Sequence, residues 1–186
     1  MKKLLIVSLA VLIAGLGVIG YKSAQAATSD NFTITITVAF IGISLKDYAA
    51  ADYSTWAIGI VSTSSVATME SNSGSATEEG VQVVNDSNVA VDLAGYATNI
   101  AGWTLGSQGA DTYILSVKGF DAWQAAPYPD MSGATSISAT TSPGTSIVTN
   151  IPSGDDKYTY FSIAAPTSVT VGGANTITVT LEATLH

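Results

Sequence analysis

The chain has no cysteine and no arginine, and its one histidine is the last residue, His186. Without cysteine there is no disulfide framework, no thiol nucleophile and no thiolate metal site. Six lysines stand against fourteen carboxylates, giving a formal net charge of −8. Nucleic-acid affinity rests on cations that neutralise phosphates, so this balance excludes it, and a basic membrane-binding patch with it. A terminal imidazole cannot be held as the base of a Ser-His-Asp arrangement, and neither an HExxH run nor a phosphate-cradling glycine motif is present. Carboxylate pairs serve glycosidases, but here the acidic residues are scattered through turn-like stretches, as on a soluble surface. The reading is non-enzymatic.

Long hydrophobic runs are also scarce, with one exception at the start. Met1-Lys2-Lys3 is a basic head, Leu4–Gly20 is apolar apart from Ser8 and a few glycines, and Ala24-Gln25-Ala26 has the small-x-small form of a cleavage site. This predicts a signal peptide over residues 1–26, with a helical apolar core, and a secreted or cell-surface domain over residues 27–186. The alternative is an uncleaved anchor, for which the apolar run is short. Cleavage removes Lys2, Lys3 and Lys22, so Lys46, Lys118 and Lys157 then face all fourteen carboxylates, a net charge near −11. The membrane enters only through this segment before cleavage.

What remains is rich in Thr, Ser, Ala, Val, Ile and Gly, in short runs broken by Gly, Ser, Asn and Pro. That pattern predicts an all-β sandwich of about eight or nine strands. Val81–Val84 and Val89–Tyr96 flank Asn85-Asp86-Ser87-Asn88, residues that favour turns, and read as strand, turn, strand in a central hairpin. Phe32, Ile34, Ile36, Val38 and Phe40 alternate with Thr33, Thr35, Thr37 and Ala39, the period of a half-buried strand. The phase slips after Phe40, placing a bend near Ile41-Gly42. Trp56–Val61 reads as a short strand, Ser62–Gly80 as a long loop with a short strand near Val66–Met69, and Phe120–Ser132 as a loop stiffened by prolines. Lys157–Ala164 carries large residues on both faces and reads as an interior strand. Asn175–Leu185 alternates Ile177, Val179, Leu181, Ala183 and Leu185 with Thr176, Thr178, Thr180, Glu182 and Thr184.

The segments VQVVNDSNVAVDL, GWTL, GADTYIL and GGANTITVTLEATL together resemble secreted bacterial immunoglobulin-like modules of surface and cell-envelope proteins. Trp103-Thr104-Leu105 is similar to one of the two Trp-x-Leu elements of cell-wall-binding WxL domains; a second is absent. The resemblance implies an immunoglobulin-like sandwich and an envelope or extracellular location.

Two sets of residues carry the functional expectations. Trp123 and Tyr128 sit in the proline-stiffened loop, where aromatics stack on sugars or anchor a partner. The strand Phe32, Ile34, Ile36, Val38, Phe40 is apolar on one face and has neither charge nor proline, so it can add to the sheet of another subunit. The first expectation is therefore a self-assembling structural subunit of an extracellular filament or envelope layer. The second is a monomeric module that binds polysaccharide or cell wall. No cofactor is implied. Ca²⁺ is the one ion for which donors exist, through Asp155-Asp156, Asp47 with Asp52, or Glu70, Glu78 and Glu79.

Overall fold

A computed structural model describes residues 35, 36 and 38–186, and they are all-β with no helix. The expected signal helix lies outside the described residues. Ten strands follow in chain order: β1 (Ile43–Lys46), β2 (Val66–Thr68), β3 (Val81–Asn85), β4 (Val91–Ala97), β5 (Thr104–Leu105), β6 (Thr112–Phe120), β7 (Thr135–Ile137), β8 (Thr145–Ile151), β9 (Asp156–Ala164) and β10 (Val179–Leu185). They form two sheets, a seven-stranded one in the order β1-β3-β9-β6-β5 and a three-stranded one in the order β10-β4-β8. In the larger sheet, β2 joins β9 on the side that β3 occupies, and β7 joins β6 on the side that β5 occupies. It is thus five positions across where the other is three. The arrangement is sandwich-like, and Val38–His186 forms one compact unit.

The two sheets share one core. Alternation places Val81 and Val83 of β3, Tyr113, Leu115 and Val117 of β6, and Val91, Leu93 and Ala97 of β4 inside it, while their neighbours in sequence point out. β9 lies between β3 and β6, as its two-faced apolar content predicts. Gly119 of β6 lies against β8, where a Cβ would collide with Cγ2 of Val148.

The stretch Val81–Ala97 departs from the expected hairpin. β3 and β4 belong to different sheets, so residues 86–90 form an arch that carries the chain across the core. Asn85 explains the crossing. Its side chain is fully buried, and Nδ2 donates to the carbonyls of Val89, Ile151 and Pro152 at 3.0, 2.9 and 2.9 Å. Oδ1 accepts the Ser87 N–H at 2.9 Å. With Asn85 satisfied by the arch and by the end of β8, β3 pairs in the larger sheet and β4 in the smaller.

Other boundaries shift for local reasons. Of the leading strand, Phe32 and Ile34 lie outside the described residues, Thr35 and Ile36 carry no regular structure, and regular pairing starts at Ile43, beyond the predicted bend. Trp56–Val61 is not a strand: Gly59 interrupts it with φ +76°, and among the described residues no backbone pairs with it. The final strand starts at Val179 rather than Asn175.

The long loops at 69–80 and 121–134 form a lid over the outer face of the larger sheet. Ser71 and Ser73 donate their N–H groups to the carbonyls of Pro127 (3.1 Å) and Gln124 (2.7 Å), joining the loops. Beneath them Tyr160 is fully buried although it points away from the shared core; its hydroxyl accepts the Gln124 N–H at 2.9 Å. Phe120 meets the Tyr160 ring edge-on at 5.6 Å.

Candidate assembly edge and aromatic cleft

The first residues of the unit are held by the arch. Asn88 Nδ2 donates to the Val38 carbonyl at 2.8 Å, Asn88 Oδ1 accepts the Phe40 N–H at 2.7 Å, and Ser87 Oγ accepts the Gly42 N–H at 2.9 Å. These turn-forming side chains therefore grip incoming backbone. The side chains they leave outside are apolar: Val38 is 76% and Phe40 61% exposed.

A second apolar surface runs along β10. Thr178 accepts the Thr98 N–H, and His186 donates to Ala90, so the even-numbered residues of β10 exchange hydrogen bonds with β4. Antiparallel geometry then turns the N–H and C=O groups of Val179, Leu181, Ala183 and Leu185 to the outer edge. Among the described residues no strand pairs there. Ile177, Val179, Leu181 and Ala183 rest against the core yet remain only partly buried, and Leu185 is 57% exposed.

The structure separates Trp123 from Tyr128. Trp123 belongs to the lid, with its ring 4.5 Å from that of Tyr158. It lies so close over Gly74 that a Cβ there would be 2.7 Å from Cδ1. It is a packing residue. Tyr128 stays 55% exposed and lines an open cleft of about 480 Å³ with Trp56, Ala57, Ile58, Glu70, Glu79 and the β2 residues Val66–Thr68. Trp56 lines this cleft although its run reads as a strand in the sequence.

Glu79 organises that cleft. Its Oε2 accepts the indole N–H of Trp56 at 3.0 Å and the Glu70 N–H at 2.7 Å. Tyr53 donates its hydroxyl to the Glu79 carbonyl at 3.1 Å; burial, with the nearby Glu79 charge, pushes its phenol well above the ordinary value. Glu78 faces the other way. It is 7% exposed, and its carboxylate accepts the N–H groups of Asn72 (3.0 Å), Gly74 (3.2 Å) and Gly80 (3.0 Å). Both carboxylates of the adjacent pair therefore already accept hydrogen bonds from the protein, Glu78 buried and Glu79 partly buried. Glu78 clamps the lid and Glu79 shapes the cleft.

Of the other calcium candidates, Asp47, Asp52 and Asp156 are engaged by protein donors. Asp47 caps its own turn through the N–H groups of Ala49 and Ala51 at 2.8 and 2.9 Å, and Asp52 pairs with Lys46 at 2.6 Å. Hydrogen bonding to Lys46, then its charge, holds the Asp52 carboxyl below the usual range. Asp156 accepts from Gln82 and Tyr158. Among the described residues no three acidic or histidine side chains converge as a metal ion would need. Trp103, the Trp-x-Leu tryptophan, packs against the core only partly buried, with an indole N–H that is buried without a partner.

No family model matches the chain, and comparison with curated proteins and with solved structures gives no match.

Proposed function

We propose that this is a non-enzymatic structural protein, exported to the cell surface, whose copies join into an extracellular filament or envelope layer. The sandwich-like fold, with its arch between sheets, supports the finer reading of an immunoglobulin-like module. The observation that carries the reading is the β10 edge, where apolar side chains and outward backbone groups have no partner strand among the described residues. Natural sheets blunt such edges with charge, proline or cover. Along β10 the one charged side chain is Glu182, and it is occupied by the Gly144 N–H. Light scattering and electron microscopy of the secreted protein test the proposal: ordered oligomers or fibres are expected, and a monomer at all concentrations overturns it.

The cleft favours a second reading, a polysaccharide-binding module. Tyr128 and Trp56 offer ring faces for a sugar and Glu70 and Glu79 offer acceptors for its hydroxyls. Binding to an array of envelope glycans that disappears in Tyr128→Ala, by a protein that stays monomeric, decides for it.

A further inference from the structure

We propose that the outer edge of β10 is the acceptor for the leading segment, Phe32–Val38, of a second copy of the chain; the inference rests on the self-assembly reading above. Three properties of the edge select this occupant. The first is pattern. β10 turns Val179, Leu181 and Ala183 toward the core and carries Thr180, Glu182 and Thr184 on the other face. The leading segment has the same alternation, with Phe32, Ile34 and Ile36 between Thr33, Thr35 and Thr37. Laid alongside, it continues the apolar face over the exposed margin of the core and sets threonine beside threonine on the outside, a favourable cross-strand pairing. The second is width, since the smaller sheet is three strands across and the larger five, which leaves room for a further strand beside β10. The third is charge. The protein is strongly anionic, so copies repel, yet no charged residue lies between Asn31 and Leu45. The segment therefore makes contact without bringing carboxylates together.

The donor is another copy rather than the same chain because of how the unit begins. Asn88 holds the backbone at Val38 and Phe40 while both side chains point to solvent, at 76% and 61% exposure. A segment returning to its own β10 would turn those side chains onto its own core. Donation from one copy to the next does not close on itself, so it propagates.

The pairing is antiparallel, as is every strand pairing of the fold except β5 with β6. Thr180 directs its backbone groups to β4, so a donor threonine opposite it occupies a non-hydrogen-bonded pair, the closer of the two and well placed for a disulfide. The chain has no cysteine, so introduced thiols have no competitors. The full chain, expressed for export, is made as Thr35→Cys and separately as Thr180→Cys, Thr184→Cys and Val66→Cys, the last on the exposed β2 edge. Thr35→Cys is mixed with each under mild oxidation. The expected result is a cross-linked pair with Thr180→Cys or, for a donor shifted along the strand, Thr184→Cys, in roughly fivefold or greater yield over the Val66→Cys mixture. The double variant Thr35→Cys/Thr180→Cys should give a ladder of covalent oligomers. Particles that assemble but link through Val66→Cys, or through none of these positions, overturn the acceptor assignment and leave self-assembly standing. A purely intrachain link in the double variant also overturns it. A protein that stays monomeric overturns both.

Discussion

Glu78→Ala is the sharpest perturbation available in this fold. The carboxylate is 7% exposed and receives three backbone N–H groups, with Oε2 serving Asn72 and Gly74 and Oε1 serving Gly80. No lysine pairs with it among the described residues; the lysine ion pairs there are Lys46–Asp52 and Lys157–Asp121. Its stabilising role is therefore hydrogen bonding. A hydrogen bond to a charged group contributes about 1.5–3 kcal/mol, and a buried donor left unsatisfied costs about 1–3 kcal/mol. The three are not additive, because a lid that opens lets water reach the stranded amides, so roughly 3–5 kcal/mol is expected for alanine. That is a large share of the roughly 5–15 kcal/mol that holds a domain together. Glu78→Gln keeps one acceptor oxygen but sets an NH₂ group against a donor, and should lose about half as much. Urea unfolding with amide exchange at Asn72, Gly74 and Gly80 reads both effects. The amides should lose protection before the sandwich melts, because the clamp serves the lid. An alanine variant within about 0.5 kcal/mol of the parent, with those amides still protected, would refute the reasoning.

Asn85→Ala strands three carbonyls at the arch and should cost about 3 kcal/mol, seen as a lowered urea midpoint. Trp123→Ala should cost about 2 kcal/mol, below the roughly 3–5 of a fully buried tryptophan, and leave glycan binding unchanged, whereas Tyr128→Ala should leave the melting temperature unchanged. Asp111 is held below the ordinary carboxylate range by the Thr170 hydroxyl, at 2.6 Å, and then by the Thr170 N–H. A depressed pKa gives stability that is present above the unfolded value near 3.9 and lost as pH falls through the folded one, so the protection factor of the Thr170 amide, its exchange relative to the unstructured rate at the same pH, should fall in acid, and Asp111→Asn should abolish that dependence. At the other extreme, burial pushes Tyr113 up to about 12. Its unfolded phenol ionises near 10, so stability should fall as pH rises between the two values, and ultraviolet titration should show phenol ionisation coinciding with unfolding.

The alternation of apolar and threonine side chains was enough, in sequence, to make the chain all-β and to locate β9 as an interior strand, because a period of two has few other solutions. It also marked Asn85–Asn88 as a change of direction and put the last strand within a few residues of where it lies. Local pattern could not say which strands become neighbours. Asn85–Asn88 reads the same in a hairpin as in an arch; the crossing depends on Ile151 and Pro152, whose carbonyls reach the Asn85 amide only once β8 is in place. The lid was invisible for the same reason. A run of Ser, Asn, Gly and Glu has little apolar area to bury on its own, and it is ordered because Glu78 finds three amides and Tyr160 needs a cover. Trp123 and Tyr128, five positions apart on one loop, looked like a pair. Packing against Gly74 took one into the lid and left the other facing Trp56 and Glu79 across a cleft whose walls come from distant parts of the chain. Strand identity is a property of neighbouring residues and can be read from them, whereas edges, lids and clefts are made by residues that meet only after folding.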